Sequence, residues 1–452
     1  MDAIRRFAEH VVRTRYEDLS AAAVRAAKVY ILDSYGVGLA GSAGPWVAEL
    51  IACQQAWGGG DEARAWVNGT RLPAPAAAMC NAYQIHNSEF DCVHELAVVH
   101  PMAVLLAAAT AHAERQGGIN GKDFLTAIVL GVDVAASLGV ASKSPLRFFR
   151  PATAGGFAAT AAIGKLMGFD ADRLVNAFGI VYSQLCGTMQ AHTEGSMLLG
   201  MQIGFNARNA VFACDMARRG LVGPQNVLEG LFGFFKLFEG EYDLRPAIAA
   251  LGKVWRMTEV AHKPFPSGRA THGVIDGCME LKRKHGFQAA DIEKVSAHVP
   301  AWVHRRVGRP PTDDMAVNYA RLCIAFVSAR ALLNDFVGVD DFRPEARKDA
   351  ATLALARRFE VLIDNNPDPN ALVPIGVEIT LKSGARHKAT LDVVYGNPAK
   401  PMTREAHLAK FRRNWTAGAR PLPADGCERM IAAVDELEKL PDIRQLVDLI
   451  AP

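Results

Sequence analysis

Long segments with helical periodicity, rich in alanine and glycine, fill most of the first 250 residues and constrain the fold more than any other feature. Apolar residues recur at intervals of three and four, which predicts amphipathic helices, and small residues on several faces predict helices that pack closely. The clearest segments are 19–42, 100–118, 120–141, 150–168 and 170–188. We therefore predict an all-helical domain in the N-terminal part of the chain.

The pattern changes near residue 254, where apolar and polar residues begin to alternate. Such alternation is typical of β-strands. The alternating segments are 254–261, 291–300, 373–384 and 385–396, the last two joined by a Ser-Gly turn. Helical segments at 269–286 and 320–335 lie between them. We predict an α+β domain over roughly residues 260–400, followed by helices that rejoin the helical domain.

The charge balance argues against a polyanionic partner. The 452 residues include 50 Lys and Arg against 47 Asp and Glu, for a net charge of +3. This is too balanced to favour nucleic acid or a membrane surface. The short basic loop RRVGRP (305–310) is interpreted as a solvated face.

Cysteine usage and hydropathy indicate the cytoplasm. The 8 cysteines are scattered and form no CxxC pair, which is typical of reduced thiols in a cytosolic protein. No run approaches the roughly 18 uncharged apolar residues that a membrane span requires. We therefore expect a soluble cytoplasmic protein.

The stretch HNSEFDCVHELAVVHP (86–101) concentrates groups that can move protons or bind ions. Its ionisable residues are His86, Glu89, Asp91, His94, Glu95 and His100. The spacing matches neither HExxH nor HxH, and no pair of histidines lies four residues apart, so a metal site is disfavoured. Acid–base chemistry or anion binding is the preferred interpretation.

Three predicted helix starts carry cationic or imidazole side chains. His100 precedes Pro101, Arg150 precedes Pro151, and KPFPSGRATHG (263–273) places Lys263, Arg269 and His272 before another helix. Free backbone N–H groups and the helix dipole favour anions there. If the three starts converge, they form a pocket for a di- or tricarboxylate. The alternative is that each is a solvated helix cap. His192 stands either on a cleft wall or in a turn.

Six segments together resemble the MmgE/PrpD family, which includes 2-methylcitrate dehydratase, cis-aconitate decarboxylase and iminodisuccinate epimerase. They follow one another in family order across nearly the whole chain. The segments are LDSYGVGLAGS (32–42), the stretch with His94 and His100-Pro101, RPATAGGFAATAAIGKLMGFD (150–170), GLVGPQNVLEGLFGFF (220–235), KPFPSGRATHGVID (263–276) and GNPAKPMTREAHLAKFR (396–412).

The resemblance implies a mainly α fold with an α+β part. The all-helical domain would comprise residues 1–260, completed by 403–452, and a smaller α+β lid domain would comprise 261–402. It also implies a homodimer with a cofactor-free active site between the domains. By motif match, the residues carried over are Asp91, His94, His100, Lys263, Arg269 and His272.

The sequence also departs from the family pattern. The family usually has Asp-Phe-Asp-Asp-Thr-His where this chain has residues 89–94, Glu-Phe-Asp-Cys-Val-His. Arg150 replaces a histidine, and Leu199 and Gln202 replace the lysine and histidine of a Lys-x-x-His-x-Gly pattern. Arginine cannot exchange protons near neutral pH but can hold a carboxylate in a bidentate grip. We expect the anion-binding frame to be kept and part of the acid–base set to be changed or lost.

The leading hypothesis is a metal-free, cofactor-independent lyase of the dehydratase type, acting on a small di- or tricarboxylate. His100 or His272 would be the base or acid, with His94 as a further catalytic candidate and Asp91 as the residue that orients a histidine or the substrate. The candidate substrate-binding residues are Glu89, Arg150, His192, Gln202, Lys263 and Arg269. The alternatives are an epimerase or isomerase, a cis-aconitate-type decarboxylase, and a catalytically silent carboxylate-binding homologue.

Overall fold

The structure is a computed structural model that describes residues 2–368 and 371–452. Its N-terminal part is helical, as predicted. The helices are α1 (Ile4–Arg13), α2 (Ala21–Gly41), α3 (Val47–Trp57), α4 (Ala74–His86), α5 (Pro101–Gln116), α6 (Gly121–Ala141), α7 (Arg150–Leu166), α8 (Ala171–Tyr182), α9 (Gln190–Glu194), α10 (Leu198–Arg218) and α11 (Arg245–Ala250). Two short strands, β1 (Ala63–Arg64) and β2 (Arg71–Leu72), pair antiparallel.

Local capping and close packing explain the central helices. The Asn120 side chain accepts from the Asp123 N–H at the start of α6, at 3.0 Å, which satisfies one free donor of the first turn. In the middle of α6, a Cβ on Gly131 would lie 2.9 Å from the Ala158 carbonyl oxygen of α7. Glycine therefore allows these two helices to approach closely, as the small-residue pattern predicted.

Helix α6 is long and strongly apolar. By length and composition it could cross a membrane, although Asp133 divides it into shorter uncharged segments, in agreement with the expectation that no uncharged apolar run reaches about 18 residues. Its most apolar window is 94% buried inside the fold, however. It is the core helix of a globular domain, apolar because neighbouring helices surround it.

The second part of the chain forms a mixed sheet with helices. Its elements are α12 (His272–His285), β3 (Ile292–Val299), α13 (Ala301–Val307), α14 (Val317–Arg321), α15 (Ile324–Asn334), α16 (Pro344–Arg347), α17 (Ala350–Ala356), β4 (Phe359–Ile363), β5 (Ile375–Leu381) and β6 (Arg386–Leu391). The strand order is β4-β3-β5-β6, and only the β3–β4 pair is parallel. The predicted hairpin is β5–β6. Residues 254–261, expected to be a strand, instead contain a 3₁₀ turn at Arg256–Glu259.

The chain then returns to the helical domain through α18 (Arg404–Thr416), α19 (Gly426–Asp435) and α20 (Arg444–Ile450). Phe411 and Trp415 of α18 are buried in the same hydrophobic cluster as the N-terminal helices. A separate cluster fills the space between the sheet and helices such as α12 and α15. The predicted class, a helical domain with a smaller α+β part, is confirmed, while the division at residues 260 and 402 stays a prediction.

Candidate active site

A cavity of about 110 Å³ lies between the helical domain and the α+β domain. Leu199 and Phe149 contribute apolar walls from one side, and Trp302 and Leu322 from the other. Its ionisable lining consists of Glu89, Glu95, His100, His192, Arg269 and Arg306. A neighbouring cleft of about 500 Å³ shares Glu95 and Trp302 with this cavity. An apolar pocket with a few convergent polar groups is the usual form of a small-molecule site.

The segment between α4 and α5 forms one wall of the cavity and is held at several points. Val93 exchanges two backbone hydrogen bonds with Ala261, at 3.0 and 2.7 Å. The Lys410 ammonium of α18 donates to the Phe90 carbonyl at 3.1 Å. Glu89 adopts a left-handed backbone conformation with φ of 53°, which is uncommon outside glycine. This turn directs the Glu89 side chain toward the cavity.

His100 and Asp91 form a buried dyad at this wall. Nδ1 of His100 lies 3.2 Å from Oδ2 of Asp91, and Nδ1 of His86 lies 3.0 Å from the same carboxylate. Asp91 is fully buried, whereas the His100 side chain is 13% exposed and lines the cavity. The 3.2 Å contact lacks the geometry of a hydrogen bond as it stands. With Nδ1–H of His100 turned toward Asp91, Nε2 is left as the basic atom of the ring.

Electrostatics favour the ionised carboxylate and the neutral imidazole. Burial raises the pKa of Asp91, but the nearby His86 and His100 outweigh it and hold that pKa well below its usual range. Burial lowers the pKa of His100, and the opposing attraction of Asp91 recovers only part of the shift. His100 is therefore neutral near pH 7, in the form that accepts a proton.

His94 lies outside the cavity. It is fully buried, accepts the Ala97 N–H at Nδ1 over 3.2 Å, and bonds the Glu259 carboxylate through Nε2 at 2.9 Å. Because Nδ1 is an acceptor here, Nε2 carries the proton. Both ring nitrogens thus hold the loop in place, and it is the preceding Val93 that lines the cavity.

Of the predicted cations, Arg269 lines the cavity, and Lys263 lies behind its wall. Arg269 lines the cavity and pairs with Glu95 at 2.6 Å. Lys263 is wholly buried behind Glu89, with Nζ 2.8 Å from Oε2. Burial raises the pKa of Glu89, but Lys263 outweighs it and lowers that pKa to about 2. Glu89 is consequently a carboxylate whose charge Lys263 already balances.

Arg150 belongs to a separate buried network. Its Nε bonds Oε1 of Glu239 at 2.9 Å, and its Nη1 donates to the Ala97 carbonyl at 2.7 Å. It borders the neighbouring 500 Å³ cleft but does not line the smaller cavity. The three helix starts therefore converge on the loop between α4 and α5. Of their cationic and imidazole side chains, only His100 and Arg269 line the cavity.

Of the remaining predicted residues, His192 lines the cavity, whereas His272 and Gln202 bond neighbouring residues outside its lining. His272 is fully buried, 3.3 Å from Arg269 Nη1, and its Nε2 lies 3.2 Å from the Ser267 carbonyl. Burial, aided by Arg269, holds the pKa of His272 well below its usual range. Gln202 bonds the backbone of Thr188 at 2.5 and 3.2 Å. His192 lines the cavity, where burial and Arg306 lower its pKa to about 4.

Arg306 lines the cavity, although its basic sequence context predicted a solvated face. Helix α13 carries it to the cavity wall, where its Nε is buried without a hydrogen-bond partner among the described residues. No described carboxylate lies within ion-pair distance of it. Burial lowers its pKa. The sequence offered one signal for Arg306, a pair of arginines shortly after a predicted strand. Such a pair does not indicate whether either side chain lines a cavity or faces solvent.

Two groups of side chains have the composition of metal ligands. Among the described residues, His86, Asp91 and His100 bring ligand atoms within 4.8 Å of one another, as do Asp33, His262 and His407. Asp91 already faces two imidazoles, and Asp33 lies 2.8 Å from the Lys410 ammonium. The metal-free and cofactor-free character of the site stays a prediction.

Comparison with known proteins supplies the family. The sequence profile of the MmgE/PrpD N-terminal domain matches residues 5–247, and that of the MmgE/PrpD C-terminal domain matches residues 265–437. Cis-aconitate decarboxylase of Mus musculus is 28% identical over 98% of this chain and 92% of its own length. The Homo sapiens cis-aconitate decarboxylase is 29% identical over 94% and 90%. The cis-aconitate decarboxylase-like protein oryM of Aspergillus oryzae is 26% identical over 98% and 95%.

Proposed function

The chain belongs to the MmgE/PrpD family, and on that premise we propose that it is a cofactor-independent lyase acting on a small di- or tricarboxylate. The observation that carries the proposal is the dyad of His100 and Asp91, 3.2 Å apart at the cavity wall. A neutral histidine held by a buried carboxylate is suited to remove a proton next to a substrate carboxylate.

Carboxylate binding rests on the two arginines of the cavity. Arg269 shares its charge with Glu95, and Glu89 is balanced by Lys263. Arg306 is the lining cation without a carboxylate partner among the described residues. A substrate carboxylate at Arg306 would complete this pairing, because arginine offers a planar set of donors that matches two carboxylate oxygens.

The proposed chemistry begins with proton transfer to His100. Nε2 takes the proton from the carbon next to a carboxylate, and Asp91 stabilises the imidazolium that forms. Arg269 and Arg306 stabilise the negative charge that develops on the carboxylate. In dehydration the electron pair then forms the C=C bond as hydroxide leaves, and a proton donor is required at the leaving oxygen. His192, the other histidine on the described cavity wall, is neutral near pH 7 because its pKa is about 4. The imidazolium formed at His100 is therefore the donor that returns its proton to the leaving hydroxyl group, which departs as water.

A decarboxylase is the second candidate, favoured by the names of the similar proteins. In that reaction the C–C bond breaks, carbon dioxide leaves, and the carbanion takes a proton from an acid. A neutral His100 is less suited to be that acid than to be a base. Leu199 also lines the cavity at a position where family members commonly have a lysine, so this chain has one proton carrier fewer there.

Proton NMR in deuterium oxide, with citrate-like, cis-aconitate-like and aspartate-derived acids, tests the proposal. Dehydration gives an alkene signal without loss of carbon, decarboxylation gives an alkene with release of carbon dioxide, and epimerisation gives deuterium at the α carbon. The proposal predicts an alkene product and unchanged activity after treatment with a chelator. Deuterium exchange alone would establish the isomerase instead. Binding without turnover would establish the silent homologue, and chelator-sensitive activity would contradict the metal-free claim.

We also propose that the chain is a homodimer. Exposed apolar side chains concentrate in the segment after α10, with Val222, Leu231 and Phe232 each more than 70% exposed. Apolar surface of this kind is usually covered by a partner. Light scattering on the purified chain is expected to give twice the monomer mass, and a monomer would contradict the proposal.

A further inference from the structure

A second cavity, of about 310 Å³, lies behind the segment that carries Glu89. Asn87 and Ser88 line this second cavity, whereas Glu89, the next residue, lines the first. The wall on the helical-domain side comes from the end of α2 and the loop after it, including Ala43. The opposite wall comes from α14 and α16 of the α+β domain. A molecule bound there would contact both domains without entering the first cavity.

Arg321 is the most unusual residue of this cavity. It is only 5% exposed, and its guanidinium donates to the Asn87 carbonyl and packs over the Phe342 ring. Its Nε is buried and has no hydrogen-bond partner, and no carboxylate lies within ion-pair distance, among residues 2–368 and 371–452. Burial lowers the pKa of Arg321 to about 10, so the group remains charged at neutral pH. A buried charge normally has a counterion.

Other lining groups add to the positive charge. Arg347 donates to the carbonyls of Phe342, at 3.1 Å, and Met315, and has no described carboxylate partner. Arg343 is paired with Asp340 at 2.7 Å. The ionisable lining thus consists of three arginines and one aspartate, which leaves a net charge of +2.

A hydroxyl donor completes the lining. Ser88 is 3% exposed, and its Oγ is buried without a hydrogen-bond partner among the described residues. A hydroxyl can donate to an anionic oxygen while leaving its lone pairs free. Two charged guanidinium groups and one free hydroxyl around a cavity are the donors that carboxylate and phosphate oxygens require.

We propose that this second cavity is a binding site for a small anion with carboxylate or phosphoryl oxygens, held by Arg321, Arg347 and Ser88. The site is separate from the proposed active site and does not depend on the proposed reaction. An anion bound there joins the two domains and lies against the segment that leads to Glu89. Its presence therefore stabilises the contact between the two domains.

Isothermal titration of the full chain with inorganic phosphate, and separately with citrate, at constant ionic strength tests the site. The matched variants are Ala43→Glu and Ala43→Gln, at an exposed lining position that bonds nothing essential. The glutamate brings a competing carboxylate, while the glutamine has the same shape without the charge. We expect saturable binding to the unmodified chain, a loss of about tenfold or more with Ala43→Glu, and near-normal binding with Ala43→Gln. Competition between the two anions shows whether phosphoryl or carboxylate ligands are preferred.

Two further variants assign the bound anion to one cavity. Arg321→Met removes the proposed binding group, and Arg306→Gln removes the unpaired cation of the first cavity. The proposal expects phosphate binding to be lost with Arg321→Met and kept with Arg306→Gln. Citrate is also a candidate ligand of the first cavity, so each variant should remove one of two citrate sites. If Arg321→Met does not fold, the difference in anion binding between Ala43→Glu and Ala43→Gln tests the site instead. Absence of saturable binding at millimolar anion, equal binding to both Ala43 variants, or loss confined to Arg306→Gln would overturn it.

Discussion

Nδ1 of His100 lies 3.2 Å from Oδ2 of Asp91, a carboxylate with no exposed surface, while the His100 ring borders the cavity between the two domains. This contact favours the orientation in which Nδ1 faces the carboxylate and Nε2 is the basic nitrogen. The substitution Asp91→Asn keeps the shape and removes the charge. We expect kcat to fall by about 10²- to 10⁴-fold, because the imidazolium loses its stabilising partner.

The same variant has a signature in its pH profile. The Asp91 charge raises the pKa of His100 against the effect of burial, so its removal lowers that pKa further. In the unmodified enzyme, kcat/KM should fall as pH drops through a pKa below 6.5. In Asp91→Asn this acid limb should move to lower pH. An unmoved limb would show that the titrating base is another group.

Arg306→Gln tests the carboxylate-binding role of α13. We expect kcat/KM to fall about 10- to 100-fold, which corresponds to the roughly 1.5–3 kcal/mol of a charged hydrogen bond. Arg305→Gln is the matched control, since Arg305 is adjacent and exposed. The melting temperature should change little in either variant. Equal effects of the two variants on kcat/KM would remove Arg306 from the site.

His94→Gln separates loop support from catalysis. The variant loses the bond to Glu259 and disturbs the acceptor for the Ala97 N–H, so we expect the fold to be less stable by about 1–3 kcal/mol. The melting temperature should fall, while kcat of the folded fraction remains within a few-fold of normal. An unchanged melting temperature with a large loss of kcat would instead place His94 in the chemistry.

Buried histidines make stability depend on pH. Burial is the main cause that lowers the pKa of His262 to about 3, and of His112 and His192 to about 4. In the unfolded chain these histidines become protonated as pH falls through about 6.5, whereas in the folded chain they remain neutral until a much lower pH. The free energy of unfolding therefore decreases as pH falls. Each site should contribute about 2 kcal/mol of destabilisation between pH 7 and pH 5. Denaturant midpoints at both pH values measure this, and a midpoint that does not fall would contradict it.

The helical fold was predictable because its signal is local. Each of the segments around α5, α6 and α7 shows its period and its end signals within some twenty residues. Residues 254–261 alternate in the same way as a strand, but no strand lies beside them among the described residues. In that part of the chain they make a single bridge, between Val93 and Ala261. Strand pairing depends on distant residues, which a local pattern does not contain.

The candidate site was predictable only in part, for the same reason. The proline after His100 marked a helix start, and that residue does reach the cavity. Arg150 carries the same mark, but its partner Glu239 lies 89 residues further along the chain. No proline follows Arg306 to indicate a helix start. It lines the cavity because α13 packs against the cleft. Tertiary contacts decide whether a cation is available to a ligand or is paired with a carboxylate of the protein itself.

The most direct measurement compares the unmodified chain with His100→Gln by proton NMR in deuterium oxide, on whichever carboxylate the unmodified chain converts. The account predicts turnover in the unmodified chain and a loss of at least about 100-fold in kcat for the variant, at a similar melting temperature. Turnover by His100→Gln at the rate of the unmodified chain would contradict the assignment of His100 as the base.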